Sequence, residues 1–314
     1  SVLAVRLAYG LYCRMNFAEC RYRPVLDKSL LKEMFSFAGW NFIGVAAGVM
    51  RDHGGNLLIN VFAGLGMNTP RALALQLNGA VQGFVTNFMT AVNPQITKSY
   101  ASGEKDYMIS LVMKSSRMSY YLLMLLVVPV FFNSEFLLEL WLKDVPERTE
   151  VFVRLFLILS LSECISNPLM TSALATGRIR DYQIIVGGLI MLNLPLSYIF
   201  LKSGAPAEIT VVIAIVISQL CLAARLFVLR KLMAFPVRRF LSKVYLNIMA
   251  VSVVAVMILL PLQCFVPEGM AGFAVNVLLC LAVAAASVFF KNPEYLKTAC
   301  QSAEDYYKNY LSKG

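Results

Sequence analysis

Residues 209–230 read ITVVIAIVISQLCLAARLFVLR, with no Asp, Glu or Lys and no charge before Arg225. A helix needs roughly 20 mostly apolar residues to cross the hydrocarbon core of a bilayer, and this run supplies them. Comparable runs fall near 35–63, 72–97, 118–140, 151–176, 182–201, 246–266 and 271–290. Eight spans are therefore expected, with an apolar stub at 1–13 ahead of them. Turn-forming residues separate the runs: Gly66 to Pro70, Ser102-Gly103, Asn133-Ser134, Thr176-Gly177, Ser203 to Pro206 and Pro267 to Gly269.

The composition of the 314-residue chain agrees. Hydrophobic residues make up 59% and charged residues 15%, against about 45–50% and about 25% in soluble domains. One soluble core cannot hide that much apolar surface, and disorder needs the opposite balance. The expected fold class is an all-α integral membrane protein, a multi-span helical bundle. A net charge of +10 raises the question of nucleic acid, and the placement of the charges answers it. If successive loops alternate sides, 21 of the 28 Lys and Arg fall on one side, in 14–32, 98–117, 178–180, 225–243 and 291–313. Five fall on the other: Arg71, Lys143, Arg148, Arg154 and Lys202. Such a split orients the chain on an anionic leaflet with the basic loops and the C-terminus cytoplasmic, and no nucleic-acid partner is expected.

The seven cysteines form no CxxC pair, and His53 is the only histidine, so no metal site and no zinc cluster is expected. The thiols read as small, reduced apolar fillers. Residues 28–37 alternate Leu30, Leu31, Met34 and Phe35 with Lys28, Lys32 and Glu33, as an interfacial helix would. The tail after Pro293, with Tyr295, Tyr306, Tyr307 and Tyr310, suits headgroup depth or solvent. The chain opens without Met or a signal peptide, and residues 1–13 read as the end of a preceding helix of a longer protein.

Polar residues at mid-membrane depth are the informative ones, because a charge there costs a few kcal/mol or more unless it faces a cavity or a partner. The first span carries Arg51-Asp52-His53-Gly54-Gly55 near its centre. The paired glycines predict a break or kink at that point. Gly44 and Gly48 form a small-residue face for close helix approach. Gly44, Gly48, Arg51 and Gly55 share one helix face, and Asp52, Asn56 and Asn60 share another. On the next span Asn78, Gln82, Thr86, Thr90 and Asn93 recur about every four residues, and Glu163 centres the span 151–176. Arg51 and Asp52 are either a packing ion pair or cavity-lining groups. The amide row either bonds helix to helix or offers donors and acceptors to a hydroxyl-rich ligand.

Several segments resemble the polysaccharide flippases of the multidrug/oligosaccharidyl-lipid/polysaccharide (MOP) superfamily, which have a MATE-like fold. They are Phe37-Ala-Gly-Trp40-Asn41-Phe, Arg51-Asp-His-Gly-Gly55-Asn56, Ile59-Asn60-Val-Phe and Met67-Asn68-Thr-Pro-Arg71-Ala-Leu-Ala. Asn93-Pro94-Gln-Ile-Thr-Lys98-Ser-Tyr100-Ala-Ser-Gly103 carries the resemblance furthest. That family builds two six-helix lobes around a cavity that opens to alternate sides, some members adding two C-terminal helices. The resemblance implies the end of a preceding transmembrane helix at 1–13, a basic cytoplasmic or interfacial linker at 14–34, a six-helix C-lobe at 35–230, two additional helices at 231–291 and a cytoplasmic tail at 292–314. The N-terminal lobe would be missing.

The implied activity is export of undecaprenyl-pyrophosphate-linked oligosaccharide, for O-antigen or capsule, across a bacterial inner membrane, without enzymatic chemistry or catalytic residues. Arg51 would attract the pyrophosphate, while Asn56, Asn60, Asn78, Gln82 and Asn93 would line the sugar route. Asp52, Glu163 and His53 are the candidates for coupling to Na⁺ or H⁺, no other cofactor being expected. Expected partners are the lipid-linked oligosaccharide, membrane lipids, the absent lobe and the polysaccharide polymerase machinery. The nearest alternative is a drug or metabolite cation antiporter of the same fold. A membrane glycosyltransferase and a non-transporting scaffold are more remote.

Overall fold

The computed structural model describes residues 2–17, 20, 27–142, 144–262 and 270–291. The chain is all-α, with no strand among the described residues. It divides into two compact units, 1–39 and 40–314. The first holds α1 (Val2–Asn16), exposed almost throughout, and the opening turns of α2 (Lys28–Ala63). Asp27 starts α2: its Oδ1 accepts the Ser29 and Leu30 amides at 2.8 and 3.3 Å, satisfying donors that the first turn leaves orphaned. The expected interfacial segment 28–37 is thus the beginning of the same helix that carries Arg51.

The second unit holds the rest of α2, then α3 (Asn68–Ala101), α4 (Lys105–Phe132), α5 (Ser134–Trp141), α6 (Thr149–Cys164) and α7 (Asn167–Ala175). It continues through α8 (Arg180–Lys202), α9 (Ile209–Met233), α10 (Val237–Leu262) and α11 (Met270–Lys291). Each of the eight expected apolar runs contains helix. By length and composition α4, α8, α9 and α10 can cross a bilayer, and α11 has a shorter apolar stretch at Gly272–Ala286. α2 and α3 are longer still, but polar residues dilute their apolar runs. The chain is a bundle of membrane helices. The expected headgroup-level tail at 292–314 lies outside the described residues.

Two expectations are corrected. The third span was expected at 118–140, whereas α4 runs Lys105–Phe132 and α5 is separate. Hydropathy begins a span where charges end, but backbone hydrogen bonding carries this helix back to Gly103, whose φ of +78° marks the turn before it. Lys114 and Arg117 are therefore helical, not loop residues. The predicted break at Gly54–Gly55 is absent, since α2 is continuous through both. The interruption falls between α6 and α7, just before Pro168. Glycine weakens a helix by about 1 kcal/mol, whereas proline costs about 3 because it lacks an N–H and crowds the carbonyl four residues back. That carbonyl belongs to Cys164, where α6 ends. Pro195 acts the same way on α8, whose regular turns stop at Met191 and resume at Asn193.

The core is a seam in which α3 packs on α4 and α6. Ala74, Val81, Val85, Met89 and Ile96 recur at four- and seven-residue spacing on α3 and are buried. They share one core with Val112, Leu123 and Met124 of α4 and Phe152, Phe156 and Leu157 of α6. α9 packs on α6 and α8, and α11 on α4 and α10. Between lipid-embedded helices such contacts act through close packing more than through transfer from water.

At one end of the bundle an ion pair ties the starts of α6 and α9 together, Arg148 Nη1 to Glu208 Oε1 at 2.9 Å, and Arg154 Nη2 pairs with Glu150 Oε1 at 2.5 Å within the first turns of α6. The Glu208 carboxylate, by its hydrogen bond and its charge, raises the Arg148 pKa above the ordinary guanidinium value. Among the described cysteines Cys164, Cys221 and Cys280 are buried, as small apolar fillers would be.

Candidate functional site

α2 buries only Ala47, Gly55 and Ile59 among its 36 residues. Polar bonds and glycine notches, rather than an apolar stripe, hold its second half against the bundle. At Gly44 the Gln183 side-chain amide occupies the space that a Cβ would take, and Gln183 Nε2 donates to Asn41 Oδ1 at 3.4 Å. A π turn at Gln183–Gly187 shapes this part of α8. Gly54 receives the Leu194 side chain. At Gly55 a Cβ would meet Arg71 Nη2 at 3.0 Å. The two glycines are there for close approach, not for bending. Gly48, expected to share that role with Gly44, has nothing within 4 Å of its Cβ position.

Arg51 is the hub. Its Nε donates to Asp52 Oδ1 at 2.9 Å and its Nη1 to Glu163 Oε1 at 2.6 Å, joining α2 to the last turn of α6. Three of the expected residues therefore meet in one cluster. The cluster is not sealed: the side chains of Arg51, Glu163 and Asp52 are 23%, 33% and 60% exposed. His53 is exposed and joins none of these bonds.

The second guanidinium is one that charge placement along the chain does not reveal. Arg71 was counted as a loop charge, yet it lies inside the first turns of α3 and is only 5% exposed. Pro70, tolerated in a first helical turn, was the available signal that the helix had already begun. Arg71 Nε donates to Asn56 Oδ1 at 2.7 Å and Nη1 to Thr210 Oγ1 at 3.2 Å, while the guanidinium lies 5.4 Å from the Phe156 ring centre. Thr210 can accept because its own hydroxyl proton goes to the Ala207 carbonyl at 3.0 Å. No ion pair forms between Arg71 and a carboxylate among the described residues. Arg71 lies against Gly55, four residues after Arg51, so the two cations sit about one turn apart along one face of α2.

The amide row splits between the two alternatives. Asn78 accepts from Ser160, Gln82 Nε2 donates to Ser160 Oγ at 2.8 Å, and Asn93 Oδ1 accepts from Thr171 Oγ1 at 2.8 Å. These three bond α3 to α6 and α7, and each remains half-buried. Asn60 accepts from the Asn68 side-chain amide across the α2–α3 turn. Thr86 and Thr90 instead return their hydroxyls to their own helix, at 3.1 and 2.8 Å, and stay exposed. With Gln76, Gly79, Asn87 and Pro94 they give α3 an exposed face that is small and polar. Exposed positions elsewhere carry large apolar side chains, such as Val216, Leu220 and Phe227 on α9. Ser160, Thr171 and Thr210, which complete these bonds, carry no charge or pattern that marks them in the sequence.

The chain matches no protein family, no curated protein and no solved structure. Its chemistry must be read from the cluster itself. Two fork-shaped cations can grip oxyanions bidentately, two carboxylates can take a cation or proton, and the adjoining amides and hydroxyls can trade bonds with water or sugar.

Proposed function

We propose that the chain forms the C-lobe and additional helix pair of a MATE-like flippase of the MOP type, moving undecaprenyl-pyrophosphate-linked oligosaccharide across a bacterial inner membrane by alternating access. The observation that carries this is the placement of Arg51 and Arg71 one turn apart beside an exposed polar face. A pyrophosphate offers several acceptor oxygens over a few ångströms, and two guanidiniums can share them. Arg71, whose partners are neutral, would engage first, and Arg51 would follow by exchanging Glu163 for phosphate. Na⁺ or H⁺ reaching Glu163 or Asp52 would weaken their hold on Arg51, which links ion binding to cargo binding at one residue. Thr86, Thr90 and the amides beside them suit the hydroxyls of the glycan.

A cation antiporter of the same fold is less favoured, because both carboxylates are already engaged by Arg51. The test is flipping of fluorescent lipid-linked oligosaccharide, or rescue of surface polysaccharide, by variants at normal expression. Each guanidinium–phosphate contact is worth about 1.5–3 kcal/mol, so Arg51→Ala and Arg71→Met should each cut transport roughly 10- to 100-fold. Normal transport by both overturns the headgroup role. Organic-cation efflux with unaltered polysaccharide export overturns the substrate class.

A further inference from the structure

Away from the Arg51–Arg71 cluster, a polar cavity of about 930 Å³ opens between the N-terminal third of α4 and the start of α10. Lys114 and Arg117 approach it from α4, and Arg239 and Lys243 from α10, against one carboxylate, Asp106. Ser110 and Ser242 add hydroxyls, and Met113 and Val244 give it an apolar floor. These basic pairs are more than 100 residues apart in sequence but fall on the same expected side of the membrane.

The backbone that forms the cavity is unusual in two ways. Ala234, a non-glycine residue, ends α9 with φ of 55°, a left-handed conformation that costs about 1–2 kcal/mol. That turn redirects the chain into α10 beside α4. Leu241–Tyr245 is then a π turn, a form that recurs at functional sites. It brings Ser242, Lys243 and Val244, three consecutive residues, onto the cavity lining.

We infer that this cavity binds the phosphate headgroup of an anionic phospholipid. Lys and Arg supply point and fork donors for phosphate oxygens, and basic pockets between membrane helices at the leaflet surface suit such headgroups. The apolar floor accepts the glycerol and first acyl carbons. This inference is independent of the transported cargo, since none of its residues belongs to the Arg51–Arg71 cluster.

Native mass spectrometry of the detergent-purified protein, titrated with phosphatidylglycerol, phosphatidylcholine or inorganic phosphate, tests it. The site variant combines Lys114→Gln, Arg239→Gln and Lys243→Gln. The charge-matched control combines Lys32→Gln, Lys98→Gln and Arg178→Gln. A basic residue near an anionic lipid surface is worth about fivefold in affinity, so the site variant should lose phosphatidylglycerol on the order of a hundredfold while the control keeps it. Equal retention by the site variant and wild type overturns the site. Equal binding of phosphatidylcholine, or displacement of the lipid by low millimolar phosphate, overturns the anionic-lipid source. A melting curve for each variant confirms that folded protein is compared.

Discussion

Replacing Arg71 by methionine should cut transport roughly 10- to 100-fold while leaving the fold almost as stable as before. Arg71 donates a charge-assisted bond to Asn56 at 2.7 Å, a longer one to Thr210 at 3.2 Å, and faces the Phe156 ring at 5.4 Å. Together these are worth about 3–5 kcal/mol. Against them stands the cost of holding a cation that is 5% exposed and has no carboxylate in contact, several kcal/mol in itself. Methionine refills the stem volume and removes that cost. The two effects should cancel to within about 1–2 kcal/mol, a melting shift of only a few degrees. Arg71→Lys should be the less stable variant, because it retains the buried charge but loses the fork that meets Asn56 and Thr210 with two separate nitrogens. Thermal unfolding in detergent and flipping per folded molecule are the two readouts. A methionine variant that melts more than about 10 °C lower, with survivors transporting normally, would show that Arg71 is a structural tie and refute the reasoning.

Three further outcomes follow from the same geometry. Gly48→Ala should stabilise the protein by about 0.5–1 kcal/mol, because its Cβ position is open and alanine favours helix. Gly44→Ala should lose about 1 kcal/mol instead, because the Gln183 side-chain carbon lies 2.7 Å from the new methyl and must swing off Asn41; thermal unfolding ranks the pair. In a cysteine-free background, Asp52→Cys, Thr86→Cys and Thr90→Cys should react with a charged thiol reagent, while Leu57→Cys, at a position 64% exposed on the apolar side of α2, should not. Failure of the Asp52, Thr86 and Thr90 positions to label would mean that the polar face meets no water. In the native protein, maleimide should modify Cys20 and spare Cys164, Cys221 and Cys280, which peptide mapping can read directly.

The helices were legible because apolar length is a local property: a run such as 209–230 needs no partner to declare itself. The joints were less so. Gly54-Gly55 reads as a weak point and Asn167-Pro168 does not, yet the glycines admit Leu194 and Arg71 within a continuous helix while α6 stops before the proline. At the site, Arg51, Asp52 and Glu163 stood out as charges out of place, and the fold brings them together. Arg71 did not stand out, since a cation at the edge of an apolar run looks like an ordinary loop residue until its helix is known to begin three positions earlier. The hydroxyl partners were invisible for a different reason: one Ser or Thr in an apolar helix is common, and its meaning depends on which amide the packing sets opposite it.

The thin apolar footing of α2 has a consequence for how it can move. A greasy stripe would gain little in a bilayer, where acyl chains substitute for leucine at no cost, but it would also respond to nothing. Beside the Phe62–Tyr198 ring contact, its polar fastenings, Arg51 to Glu163, Asn56 to Arg71, Asn41 to Gln183 and Asn60 to Asn68, are ones that a hydrated, oxygen-rich visitor can outcompete. Each phosphate or sugar hydroxyl that takes over one end of such a bond undoes one clasp of the helix. Arrival of the passenger and loosening of the wall beside it would then be a single chemical event.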